Sequence, residues 1–195
     1  MKTELLSPAG SLKNMRYAFA YGADAVYAGQ PRYSLRVRNN AFDHDNLKIG
    51  IDEAHALGKK FYVVVNIQPH NSKLNNFIRD LEPIIAMQPD ALIMSDPGLI
   101  MMVREHFPEM QIHLSVQANA INWATVKFWK DYGLSRVILS RELSLEEIEE
   151  ILIDGNHLAK DHTYFHIGGY TVSDNDEIMA FGIDTVSRRN YTVQF

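Results

Sequence analysis

Between residues 4 and about 150, short β-rich runs alternate with stretches whose apolar residues recur at helical spacing. Parallel strands cannot be joined by a tight hairpin, so each needs a crossover, and this alternation is the sequence form of repeated βαβ units. The first run, Glu4-Leu5-Leu6, closes on Ser7-Pro8-Ala9-Gly10. Ser11 then stands where a helix cap is needed, Leu12, Met15, Tyr17, Ala18, Phe19 and Tyr21 supply a buried face, and Gly22 a stop. The strands that follow are Asp24–Ala28, Phe61–Asn66, Ala91–Asp96, Ile112–Gln117 and Arg136–Arg141, with helices near 47–57, 75–87, 99–106, 122–132 and 144–151. The strand approaches resemble one another: Ala23-Asp24-Ala25-Val26, Pro89-Asp90-Ala91-Leu92 and Leu134-Ser135-Arg136-Val137 each lead from a helix end into a buried strand.

Six strands in this rhythm predict an α/β fold, an incomplete (β/α) TIM-type barrel. The 195 residues fall short of the roughly 250 a full barrel uses. A doubly wound sheet would show the same alternation, but no Gly-rich fingerprint follows the first strand. A six-stranded barrel leaves exposed parallel edges unless the tail or another chain covers them, so self-association through those edges is expected.

The composition is that of a folding chain, 46% hydrophobic and 22% charged. The net charge of −5 argues against a surface that grips nucleic acid everywhere, while leaving room for a local basic patch. The sequence has no cysteine, which excludes disulfides, thiol catalysis and Cys-held metal within these residues. No apolar run approaches a membrane span and none forms a secretory leader, so the cytoplasm is the expected compartment.

In either architecture ligands gather where strands end. The polar residues there include Ser7, Gln30, Asn66, Gln68, His70, Ser95, Asp96, Gln117, Asn119, Asn122, Ser140, Arg141 and Glu142. Amides, an arginine and carboxylates at several strand ends fit a polar ligand pocket, although turn and cap chemistry would use some of the same residues. From these we take Asn66, Asp96, Gln117, Asn119, Arg141 and Glu142 as candidates to orient a ligand by hydrogen bonds. The connection from Gln30 to Asn40 interleaves three arginines with Tyr33. Arg36 and Arg38 are its candidates for a carboxylate or phosphate, the alternative being a solvated loop. His55, His106 and His113 read as packed or surface side chains. The four-residue spacing of His162 and His166 would align two metal ligands only on a helix, which Gly168-Gly169 disfavours. No metal site and no catalytic base or nucleophile is assigned.

Several strings carry a resemblance. Glu4-Leu5-Leu6-Ser7-Pro8-Ala9-Gly10, Tyr21–Gly29, Ser95-Asp96-Pro97-Gly98, His113–Asn119 and Leu139–Ser144 occur in order, mostly at strand ends. They resemble the bacterial collagenase-like peptidase family over residues 1 to about 150, and within it the tRNA hydroxylation proteins. That resemblance implies a (β/α) barrel, prephenate-linked 5-hydroxylation of a wobble uridine, tRNA and a small carboxylate as partners, and an iron–sulfur cluster. The cysteines that would hold the cluster are absent from this sequence.

Residues 151–195 change character to short alternating strands broken by Asp and Asn turns, and resemble a propeller segment of prolyl oligopeptidases such as oligopeptidase B. The catalytic residues of that family have no counterpart here. The sequence therefore divides at Glu147 to Ile153 into a truncated barrel domain, 1–150, and a β-rich tail, 151–195, as in a chimeric chain. The expected function is a piece of a tRNA-modifying enzyme, inactive alone. The alternatives are a non-catalytic RNA- or anion-binding module, or a hydrolase of the peptidase kind that the family name suggests.

Overall fold

The computed structural model describes residues 4–30, 32–35, 40–156, 164–167, 170–172, 178–180 and 191–194. It divides into two compact units, Glu4–Ile112 and the stretch from His113 onward.

The first unit runs β1 (Leu6–Pro8), α1 (Leu12–Ala20), β2 (Ala25–Gly29), α2 (His44–Ala56), β3 (Lys60–Val65), α3 (Asn71–Ala86), β4 (Ala91–Met94) and α4 (Pro97–His106). Its strands lie in chain order and pair in parallel: Val26 is registered with Ser7 and Phe61, and Val63 with Leu92. Phe61 to Val65 are all buried, as a central parallel strand covered on both faces requires. Met15 and Phe19 of α1, Leu47 and Ile51 of α2, Phe77, Leu81 and Ile84 of α3, and Leu99 and Val103 of α4 complete this core.

Helices α1, α2 and α4 begin where the sequence provides side-chain acceptors for their orphan N–H groups. Ser11 accepts from the Asn14 N–H, Asp43 from Asn46 and Asp96 from Leu99, at 3.2, 2.8 and 2.8 Å. Gly22 takes φ +99° just beyond α1, a left-handed conformation that glycine adopts without steric cost.

The strand register is pinned by a device used twice. Before β2, the Asp24 N–H donates to the Leu5 carbonyl at 2.8 Å and the Leu5 N–H donates back to Asp24 Oδ2 at 3.0 Å. Before β4, the Asp90 N–H donates to the Phe61 carbonyl at 3.0 Å and the Phe61 N–H returns to Asp90 Oδ2 at 2.8 Å. Each aspartate closes a two-bond ring with the start of the preceding strand or its first paired residues. A carboxylate accepting a backbone N–H is a charge-assisted bond. The likeness between Ala23-Asp24-Ala25 and Pro89-Asp90-Ala91 is the sequence trace of this device.

The second unit contains β5 (Ile112–Leu114), a single 3-10 turn at Val116–Ala118, α5 (Trp123–Asp131), β6 (Arg136–Leu139) and α6 (Leu145–Asn156). His113 and Leu114 pair in parallel with Arg136 and Val137. Asn122 caps α5 through the Thr125 N–H at 2.9 Å. Ser144 and Glu147 form a reciprocal capping box on α6, with Ser144 N–H to Glu147 Oε2 at 2.7 Å and Glu147 N–H to Ser144 Oγ at 3.2 Å. The division expected from Glu147 to Ile153 thus falls inside α6.

Beyond α6 the described strands are β7 (Tyr164–Ile167), β8 (Tyr170–Val172), β9 (Ile178–Ala180) and β10 (Tyr191–Gln194). All their pairings are antiparallel: β7 with β8, β8 with β9, and β10 with β7. On its other side β10 pairs with β6, setting Tyr191 against Leu139 and Gln194 against Arg136. The tail therefore covers the β6 edge that the sequence had left open to it. Of the two histidines at helical spacing, His166 lies in β7 and His162 outside the described residues.

Gly50 provides a test of packing in the first unit. A Cβ there would stand 2.9 Å from Phe61 Cε2 and 3.2 Å from Phe42 Cε1, two buried rings that meet edge to face at 5.6 Å. Replacing a helical glycine by alanine ordinarily gains up to about 1 kcal/mol, but overpacking a rigid core costs about 1–3 kcal/mol. Gly50→Ala is expected to lower the midpoint of thermal unfolding, and a raised midpoint would show that the rings yield freely.

Candidate functional site

In the first unit the loops after β2, β3 and β4 are laced together at the carboxyl ends of the strands. Gln30 leaves β2 almost wholly buried, at 1% exposure. Its N–H donates to the Val64 carbonyl at 3.0 Å, and its Oε1 accepts the N–H groups of Arg32 and Tyr33, both at 2.7 Å. A side-chain amide thus stands in for backbone acceptors and turns Arg32 and Tyr33 back toward the end of β2. The Asn40 side-chain amide donates to the Gly29 carbonyl, fixing the far side of the same connection to the end of β2.

Tyr33 anchors that turn to α3. Its ring meets Phe77 edge to face at 5.2 Å, and its hydroxyl donates to Asp80 Oδ2 at 2.8 Å. The Arg32 guanidinium reaches the same oxygen at 2.8 Å. Burial, together with the hydrogen bond to the Asp80 carboxylate, pushes the Tyr33 phenol up to about 12.

Asn66 joins the neighbouring loops. Its Oδ1 accepts the Leu35 N–H at 3.2 Å, and its carbonyl accepts the Ser95 hydroxyl at 2.9 Å. The Ile67 N–H donates to the Tyr33 carbonyl at 3.1 Å. Asn66 is therefore a bridge between loops at the strand ends. Asp96 begins the next loop, where one carboxylate oxygen caps α4. Arg36 and Arg38 lie outside the described residues.

In the second unit, the Ser140 N–H donates to the Ala120 carbonyl at 2.9 Å, bringing the loop after β5 to the end of β6. Gln117 sits exposed in the 3-10 turn, and Asn119 closes that turn at φ +53°, also exposed. Arg141 and Glu142 follow β6 on an exposed turn, and the Glu142 N–H lies 3.5 Å from Ser140 Oγ. The sequence candidates thus form two groups, Asn66 with Asp96 in one unit and Gln117, Asn119, Arg141 and Glu142 in the other.

Asp80 was missed by sequence reading because it lies inside α3, far along the chain from Arg32 and Tyr33. Its one local signal is a carboxylate between Phe77 and Leu81 on the apolar stripe of the helix. The single histidines play structural parts: His55 Nε2 is 3.1 Å from Asp90 Oδ2, and His106 Nδ1 is 2.9 Å from the Met102 carbonyl. His113 is buried in β5. Among the described residues no cluster of three histidines and carboxylates could hold a metal ion.

Comparison with known proteins gives this geometry its context. Residues 10–169 match the description "Peptidase family U32". The tRNA hydroxylation protein P of Escherichia coli K12 is 84% identical over 150 residues, covering 77% of this chain and 33% of that protein. Its namesake in Haemophilus influenzae is 83% identical over 150 residues, with the same shares of 77% and 33%. The chain thus spans about a third of the length of these curated relatives. Among solved structures, the U32 peptidase Mk0906 matches with a TM-score of 0.65 at 12% identity, covering 78% of this chain and 65% of that one. At such identity the likeness concerns the fold alone, an α/β half-barrel of six parallel strands with helices.

The Tyr33 phenol makes the loop network testable. Because the folded phenol keeps its proton to a higher pH than the unfolded one, its contribution to stability is complete below about pH 10 and fades as pH rises toward 12. In a titration followed by tyrosinate absorbance, Tyr33 is expected among the last of the nine tyrosines to ionise. Tyr33→Phe should remove that late step and cost about 1 kcal/mol at neutral pH, the net value of one hydrogen bond. An unchanged high-pH limb in the variant would contradict the assignment.

Proposed function

The chain belongs to peptidase family U32, and on that premise we propose that it is part of an RNA-modifying enzyme that acts on tRNA. The observation that carries this reading is the 84% identity to a tRNA hydroxylation protein across 150 residues. The finer reading is 5-hydroxylation of a wobble uridine with a small carboxylate, prephenate, as co-substrate. Arg36 and Arg38 would meet the carboxylate or phosphate, and the exposed Gln117, Asn119, Arg141 and Glu142 would orient the nucleoside. Asn66 and Asp96 would act one step back, by holding the loops on which a ligand rests.

The iron–sulfur cluster implied by the family resemblance does not fit the residues present. These 195 residues include no cysteine, and no cluster of alternative ligands replaces them among the described residues. No step of the reaction is derived through that group. We read the chain as a binding portion of the enzyme, acting in the cytoplasm, with residues 151–195 as a propeller-like addition that covers the β6 edge. Among the described residues no helix is long and apolar enough to cross a membrane.

Peptidase chemistry, which the family name suggests, is less well supported. Ser95, a strand-end hydroxyl in the laced loops, is 3% exposed and donates to the Asn66 carbonyl. A nucleophile needs a base to receive its proton and access to substrate.

The deciding experiment incubates the purified chain with tRNA, measures retention by filter binding, and digests the tRNA to nucleosides for mass spectrometry. Retained tRNA without 5-hydroxyuridine is the expected result. Failure to retain tRNA would refute the RNA reading, and hydroxyuridine made by this chain alone would refute the view that it is only the binding portion.

A further inference from the structure

The anchor that holds Tyr33 also gathers positive charge. Arg32 reaches Asp80 Oδ2 at 2.8 Å with its own side chain 65% exposed. Arg79, 72% exposed, lies 3.7 Å from the other carboxylate oxygen. Lys73, exposed in the first turn of α3, places Nζ 3.5 Å from the Arg32 carbonyl. One loop and α3 thus bring three cations together: Arg32 and Arg79 share the Asp80 carboxylate, which also accepts the Tyr33 hydroxyl, and Lys73 meets the Arg32 carbonyl.

The local balance runs against the net charge of the chain, which is −5. Other ion pairs among the described residues are one to one: Arg16 with Glu53, Lys60 with Glu4, and Lys127 with Asp131 each set one cation against one carboxylate. At Asp80 two guanidiniums share one carboxylate, and Lys73 adds a third cation beside Arg32. Glu82 is the next acid along α3, but at about 100° per residue it lies roughly 200° round the helix from Asp80. Lys73 and Asp80, seven residues apart, fall on one stripe about two turns long.

We propose that Arg32, Lys73 and Arg79 form a contact surface for the phosphodiester backbone of RNA, beside the strand-end loops. This rests on the RNA reading above and names where the polyanion is gripped. The heads are exposed and spread over a helix side, so they do not converge as a buried site for one small anion would. That arrangement fits a ligand carrying several phosphates in a row, and such contacts position a nucleic acid without reading its sequence. The Asp80 carboxylate, which also accepts the Tyr33 hydroxyl, holds Arg32, so that Arg32 contributes a partly ordered fork where Lys73 contributes a point charge on a flexible stem.

The test compares tRNA binding by the unaltered chain, by Arg32→Gln/Lys73→Gln/Arg79→Gln, and by a control that removes three cations elsewhere, Lys48→Gln/Lys60→Gln/Lys127→Gln. Affinity is measured across a salt series, with thermal melts to check folding. Each lost phosphate contact should reduce the slope of log affinity against log salt by about 0.7–0.9. The first variant is expected to bind at least about tenfold more weakly at low salt, with a slope smaller by about 2, and the control to keep the slope of the unaltered chain. Lys73→Gln/Arg79→Gln, which leaves the Arg32–Asp80 pair intact, should show a fall of about 1.5 and serves if the triple variant fails to fold. If the unaltered chain binds tRNA and both patch variants keep its slope, the surface is wrong while the RNA reading stands. If the unaltered chain does not bind tRNA, both fall.

Discussion

The first unit depends on a carboxylate placed one residue before a strand. Asp24 and Asp90 each return a bond to the backbone N–H of the preceding strand's start and so fix which residue of one strand lies beside which residue of the next. A slip of one residue would turn the core-facing side of a strand outward, so these pins decide whether Val26 lies beside Phe61 and Val63 beside Leu92 in the buried sheet. Each aspartate also receives a second group from the α2 to β3 region, Lys59 Nζ at 3.4 Å for Asp24 and His55 Nε2 at 3.1 Å for Asp90. The register is thereby tied to helix placement at one end of the sheet.

With that end fixed, the opposite end is free to carry variation, yet in this protein it is also heavily bonded. Gln30 substitutes its amide for backbone partners, Asn66 bridges two loops, and Tyr33 stitches the second loop to α3. Residues that would be read as ligands from their position at strand ends therefore divide by function. Some hold the loops in shape, and those in the second unit, Gln117, Asn119, Arg141 and Glu142, present exposed side chains. Asp96 shows why position alone is ambiguous: a helix cap and a ligand-binding carboxylate occur at the same place in a βα unit, because both exploit free N–H groups near a strand end.

The charge distribution follows from the same geometry. Arg32 comes from the loop after β2 and Lys73 and Arg79 from α3, and they meet only because Tyr33 draws its loop onto that helix. An acidic protein can thus offer a basic face, and its overall charge says little about what that face binds. The absence of cysteine is different in kind, since no folding can supply a missing ligand type.

The sequence by itself determined the alternation of strands and helices, the six parallel strands, the caps at Ser11 and the stops such as Gly22, because each of these depends on periodicity or on groups within a few residues of one another. It also carries a change of texture near residue 150, inside α6, to alternation of a different period. What only the tertiary structure decided was which distant groups meet: Asp80 with Tyr33 and Arg32, Asn66 with Leu35 and Ser95, and β10 with β6. Such contacts are set by how crossovers bring loops and strands together, and no local spacing along the chain encodes that separation.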